Sequence, residues 1–325
     1  MRRVFVLLAA LLFLAACAED VEPGAMNPAH TNSAEEFDGL RVAASIFPSY
    51  DFVRQIAGER VELTLLIPPG MDTHAFEPTA QDILYIYTVD LLIAVGGSGE
   101  RWVDTVIASL SRDDITVVAL LDLVEGIKTE RHFDQGDGFL QIPLRDYGAL
   151  RVDEHVWTSP RNAILIVQEL TETLSRLDPQ NAAYFRENAA AYIRELEALD
   201  RAFQEVAAQG LRSTVIFGDR FPFRYLLYAY QLTYYAAFPG CATETEPSAA
   251  TIAYLINKIN NEGIPVVFYI EFSNQRIADV IAEGTNARTL ELHSAHNVSH
   301  ADYAAGVTYL ELMWRNVEHL REALS

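Results

Sequence analysis

Short apolar runs rich in β-branched residues recur along the chain, at 41–47, 61–67, 91–95, 116–120, 213–217, 265–270 and 288–292. Such runs, without alternating polar positions, are the pattern of strands buried on both faces, as in a parallel sheet. Between them, segments 51–57, 79–87, 101–110 and 247–261 place apolar residues at helical spacing. The alternation predicts an α/β fold with parallel sheets. No internal repeat of short period is present.

The most regular stretch runs from 178 to 210. Pro179 follows a capping Asp178, no Gly or Pro interrupts 180–209, and Gly210 stands where a left-handed C-cap is expected. A helix of this length extends roughly 45 Å, the span of two small lobes, and is expected to join them. A second helical pattern covers 303–324. The expected organisation is a signal segment at 1–17, a tether at 18–38, a first α/β lobe at 39–177, the connecting helix at 178–210 and a second α/β lobe at 211–325.

The amino terminus changes the picture. Arg2 and Arg3 precede a short apolar run, and Leu14-Ala15-Ala16-Cys17 has the pattern at which bacterial lipoproteins are cut and the cysteine acylated. The run is too short to span a bilayer. Cys17 is therefore the expected lipidation site, holding the protein outside the cell on the membrane. The following segment, poor in large apolar residues, cannot build a core. With Cys17 acylated, Cys241 has no partner, so no disulfide is expected, and a free thiol of this kind is usually buried. The formal charge is −21, which disfavours nucleic acid as a partner and enriches cations near the surface.

The eight histidines occupy different settings. His30 lies in the tether and His319 in the last helical pattern. His132, with Asp134 and Asp137 nearby, lies in an irregular stretch that reads as a solvated loop. His74 follows a predicted strand in IPPGMDTHAFEPT, and His155 precedes a helix starting near Ser159-Pro160. His293 follows the last predicted strand in LELHSAHNVSH, with His296 and His300 beyond it. Loops at the carboxyl ends of parallel strands are where α/β folds place ligands, and neutral imidazoles suit Zn²⁺, Mn²⁺ and related ions.

At these motifs the chain resembles the zinc- and manganese-binding solute receptors of metal ABC transporters, the cluster A-I family. The resemblance is carried by SIFPSYDFVRQIAGERVELTLLIPPGMDTHAFEPTAQDI, DLLIAVGGSGERWVDTV, DEHVWTSPRNA and the closing YLELMWRNVEHLREAL. It implies two α/β lobes joined by one long rigid helix, with a metal site in the cleft between them. His74 and His155 match the first two ligand histidines. The family's third histidine aligns with Gly218 in VIFGDRFPFRYL, which has no side chain to offer. The fourth ligand, a carboxylate in relatives, falls at or close to His293. The expected set is therefore His74, His155 and His293, completed by Asp219 or water, with His296 the competitor of His293. Asp219 reads equally as a structural cap, and Glu77, Glu244, Glu246 and Glu271 are candidates to orient a ligand ring.

The expected function is capture of Zn²⁺ by an extracytoplasmic, monomeric receptor that delivers it to a membrane permease. A histidine-rich shell favours zinc, whereas Mn²⁺ or Fe²⁺ on the same fold is the variant reading. Adhesion to host surfaces is compatible with the resemblance. A secreted zinc hydrolase is the rival from another class, but no HExxH or GxSxG motif is present. Helix-linked receptors for siderophores or cobalamin would need aromatic and cationic grips rather than histidines.

Overall fold

The computed structural model describes residues 37–325, apart from 98, 111–113, 126–151, 239 and 241–245. The apolar runs form two separate four-stranded sheets, each wholly parallel. In the first, β1 (Leu40–Ala44) lies between β2 (Val61–Leu65) and β3 (Leu91–Ala94), with β4 (Thr116–Ala119) beyond β3. The second repeats this order, with β5 (Thr214–Phe217) between β6 (Thr233–Ala236) and β7 (Val266–Tyr269), and β8 (Arg288–Glu291) outside. The registers align the strand ends: Ala44 stands beside Leu65 and Ile93, and Phe217 beside Ala236 and Phe268. Loops leaving these ends therefore emerge on one side of each sheet.

Ten helices connect and cover the strands among the described residues: α1 (Phe47–Ala57), α2 (Ala80–Ile86), α3 (Arg101–Ser109), α4 (Pro160–Leu177), α5 (Ala182–Gln209), α6 (Arg224–Ala229), α7 (Ala249–Glu262), α8 (Arg276–Glu283), α9 (His300–Ala304) and α10 (Tyr309–Leu324). The 28 residues of α5 span about 42 Å. Its buried positions, Phe185, Ala189, Tyr192, Leu196, Leu199, Phe203 and Val206, step alternately by four and three. That spacing keeps one apolar stripe along the helix. The stripe packs against α4, α1 and α10, so helices from both halves of the chain share it.

One apolar cluster consequently runs from Val42 in β1 through α5 to Leu324 in α10. A polar lock closes the junction of α1 and α10. The fully buried carboxylate of Asp51 accepts the Tyr309 N–H at 2.7 Å and pairs with Arg54 at 2.6 Å. Arg54 in turn donates to the carbonyl of Val307 at 2.7 Å.

Three elements depart from expectation. Strand β6, TYYA, was not anticipated, because Tyr234 and Tyr235 are its only large side chains and no aliphatic run marks it. The helical pattern at 303–324 breaks into α9 and α10 at Gly306, whose φ of +74° lies in the left-handed region. Gly210 ends α5 with extended backbone (φ −60°, ψ 142°) rather than the left-handed cap.

Candidate metal centre

Three histidines converge between the ends of the two sheets. His74, His155 and His296 each present a ligand nitrogen, and the three nitrogens lie within 4.8 Å of one another. Their ring centroids are 5.2 to 5.9 Å apart and the rings meet edge to face, with interplanar angles of 63° to 84°.

Each ring is set by its own segment. His74 sits in a one-turn 3-10 helix, Thr73–Ala75, in the loop between β2 and α2. Asp72 caps that turn, its Oδ1 accepting the His74 N–H at 3.1 Å. Gly70, at φ +80°, bends the loop so that its N–H reaches the carbonyl of Val298 at 2.7 Å. Asn297 donates to the carbonyls of Pro68 (2.7 Å) and Met71 (3.0 Å), binding this loop to the segment that carries His296. The Nε2 of His74 is buried and has no hydrogen-bond partner, an arrangement that costs free energy unless something coordinates it.

His155 is buried, and its Nδ1 lies 3.0 Å from Oδ1 of Asp153. Asp153 also faces Arg224, with Nε at 3.0 Å from Oδ2. Burial pushes the Asp153 carboxyl up, but the charges of His155 and Arg224 and the hydrogen bonds from His155 outweigh it and hold the group below the usual range. A carboxylate that engages Nδ1 fixes the tautomer with Nε2 as the ligand atom and makes the ring a better donor to metal. The neighbouring Glu154 accepts the Gly99 N–H at 2.7 Å, anchoring the segment to the β3–α3 loop. A Cβ at Gly99 would fall 2.2 Å from the Glu154 carboxylate, so a larger residue here would displace that side chain from the Gly99 N–H.

His296 contacts Thr73 through Nδ1 at 3.0 Å, which directs its Nε2 to the other two rings. The indole of Trp157, wholly buried and bonded to the carbonyl of Ser294, lies 4.7 Å from the His296 ring. Burial, then the charges of His155, His74 and Arg220, keep the His296 pKa well below the ordinary imidazole value. The ring is thus neutral near neutral pH, the state a metal requires.

Two expected members of the site stand elsewhere. His293 stands outside the trio: its Nδ1 accepts the Ala295 N–H at 2.9 Å, its own N–H goes to Asn316, and its ring does not join the cluster. The turn that follows, with Ala295 at φ +58°, brings the residue three positions later into the site. Asp219 is engaged elsewhere too. Its two oxygens accept the N–H groups of Arg220 (2.7 Å) and Ile270 (3.3 Å), so it braces the ends of β5 and β7.

Gly218, where the resemblance places a ligand, has no room for one. A Cβ there would sit 2.4 Å from the Cα of Ala278 in α8. Of the glutamates, Glu271 is buried and accepts the Ser294 N–H at 2.7 Å, holding the turn before His296, whereas Glu246 forms an exposed pair with Arg276. His319 bonds to the carbonyl of Glu291. Cys17, His30, His132, Asp134, Asp137, Cys241 and Glu244 lie outside the described residues.

Two helix-linked parallel sheets with a trio of histidines at their facing ends define a class of solute receptor. The chain belongs to the ZnuA family, described as zinc-uptake complex component A, periplasmic, whose model matches residues 42–323. It is similar to the high-affinity zinc uptake system protein ZnuA of Bacillus subtilis, with 28% identity over 324 residues, covering 99% of this chain and 97% of that protein. It is similar also to the zinc-binding lipoprotein AdcA of Streptococcus pneumoniae, with 28% identity over 329 residues, but spans only 61% of AdcA's length. Among solved structures, the metal-dependent lipoprotein YcdH of Bacillus subtilis superposes with a TM-score of 0.72 at 26% identity, over 88% of this chain and 100% of that one. The laminin-binding adhesin Lmb of Streptococcus agalactiae shares the fold at a TM-score of 0.75 and 23% identity, over 88% of this chain and all of that one.

Proposed function

We propose that this protein is an extracytoplasmic receptor that captures Zn²⁺ through His74, His155 and His296 and passes it to a membrane ABC permease. The single observation that carries the reading is the convergence of three imidazole nitrogens within 4.8 Å, supplied by three distant segments. Two of the rings have a partner on Nδ1 that orients them. An all-nitrogen trio with a fourth position for water suits zinc, whereas a manganese shell draws on carboxylates, and Asp219 and Glu271 are committed to backbone N–H groups. The names of the relatives, ZnuA and AdcA, support the same cargo.

In this reading Cys17 carries the lipid that holds the receptor at the membrane, residues 18–38 form the tether, and no reaction is catalysed. Among the described residues, no helix is long and apolar enough to cross a membrane. Capture exchanges the ion's water for fixed ring nitrogens, and only the loops bearing them need to move.

Metal analysis of purified protein tests the assignment. Wild type and His293→Ala are expected to hold one equivalent of zinc, and His74→Ala and His296→Ala to lose it. Retention by His296→Ala together with loss by His293→Ala would refute the proposed ligand set. Assaying the zinc-loaded protein with ester and peptide substrates tests the absence of turnover.

A further inference from the structure

The loop that carries His74 gains little from apolar burial: Met71 is 39% exposed, and Asp72, Thr73 and His74 are only partly covered. Its attachment to the opposite half of the molecule is polar. Arg220, from the segment after β5, donates from Nη1 to Oδ2 of Asp72 at 2.8 Å. The other oxygen of the same carboxylate holds the His74 N–H. Arg220 is itself seated by its backbone, since its N–H is fixed by Asp219, whose second oxygen reaches the end of β7. A continuous polar path thus leads from the ends of β5 and β7, through Arg220 and Asp72, to a candidate ligand on the first half.

We propose that Arg220 and Asp72 are a positioning pair that latches the His74 loop to the second sheet and sets how long a captured ion stays bound. The inference rests on the receptor reading above. Arg220 replaces no ligand: it stands two residues from Gly218, where no side chain can enter, and it grips the loop instead of the metal. Neutralising Arg220 separates this role from simple electrostatics, because the two predict opposite signs. A guanidinium near the cluster repels a cation, so its removal by charge effect alone would slow release. Removal of a latch speeds release.

The experiment loads wild type, Arg220→Met, Arg220→Lys and Asp72→Asn with zinc and follows transfer to excess chromogenic chelator by stopped flow. Because the pair is partly exposed, with 22% and 41% of the side chains accessible, release from Arg220→Met should be about two- to fivefold faster than from wild type. Arg220→Lys should recover part of the difference, and Arg220→Met should add nothing in an Asp72→Asn background. Raising the salt concentration should accelerate wild type toward the Met variant, and the metal-free variants should keep one melting transition within a few degrees of wild type. Release from Arg220→Met at the wild-type rate or slower, or full additivity of the two substitutions, overturns the latch. If His74→Ala and His296→Ala also keep their zinc, the receptor reading fails with it; if they lose it, only the latch does.

Discussion

Asp153→Asn is the most incisive perturbation of the candidate centre. The carboxylate lies 3.0 Å from His155 Nδ1 and 3.0 Å from Arg224 Nε, and all three side chains are at least nine-tenths buried. Asparagine preserves the shape but removes the charge. It leaves the Arg224 cation facing a neutral amide, and its side chain can present NH₂ to the ring, favouring the tautomer that places the proton on Nε2, where the metal must bind. Loss of a partner to a ligating histidine lowers metal affinity about 10- to 100-fold, equivalent to about 1.4 to 2.7 kcal/mol. Stripping a buried cation of its carboxylate costs about 3 to 5 kcal/mol of stability when nothing replaces it; the amide oxygen should hold the loss below that range. Competition against a fluorescent zinc indicator measures the affinity, and thermal denaturation of the metal-free protein measures the stability. Wild-type affinity in Asp153→Asn, alongside complete loss in His155→Ala, would refute the idea that the carboxylate tunes the ring.

Further predictions concern protons and space. Burial raises the Glu100 pKa to about 7, against an ordinary 4.5, so the folded state holds this proton more tightly than the unfolded chain. Its contribution is complete below pH 4.5 and is lost as pH rises through 7, a change of about 3 kcal/mol. Glu100→Gln should therefore raise the melting temperature at pH 8 and leave it unchanged at pH 4; equal effects at both would contradict the argument. Zinc affinity should weaken on acidification as imidazoles take up protons. Burial and the neighbouring charges keep the His296 pKa well below the ordinary imidazole value, so this ring should stay neutral under mildly acidic conditions, and an NMR titration that shows it protonated near neutral pH would contradict the argument. Gly218→Ala should destabilise the fold by about 1 to 3 kcal/mol, because the added methyl meets the Ala278 backbone at 2.4 Å. An unchanged denaturation midpoint would mean that α8 yields freely.

The chain announced its parallel sheets clearly, because strands covered on both faces read as uninterrupted apolar runs. Seven of the eight observed strands fall on the predicted runs, and the exception, Thr233–Ala236, carries two tyrosines and no aliphatic run. The long helix was legible from its uninterrupted length and its apolar stripe. Strand-end position and the resemblance pointed to His74 and His155, and both stand in the cluster. The choice between His293 and His296 turned on the course of the short turn that joins them. That course depends on Glu271 holding Ser294, Asn316 holding His293, and an alanine in the left-handed region. These contacts join residues more than twenty positions apart, so local pattern carries no trace of them. The same holds for Asp219, whose partner at Ile270 lies 51 positions away. Gly218 is the converse case: its lack of a side chain was plain, but the reason, α8 pressed against its Cα, exists only in three dimensions.

The apolar cluster that passes without a break from the first strand through α5 into the last helix has a thermodynamic consequence. Each half keeps a smaller apolar cluster of its own, around Leu92 in the first and Val267 in the second, but the larger interior is held in common, so neither half should outlast the melting of the other. Heating should produce one sharp calorimetric transition rather than two, and a weakening substitution far out in either sheet should disassemble the histidine trio as a whole. Such damage would register as a smaller fraction of competent receptor, with each remaining molecule gripping its ion as firmly as before.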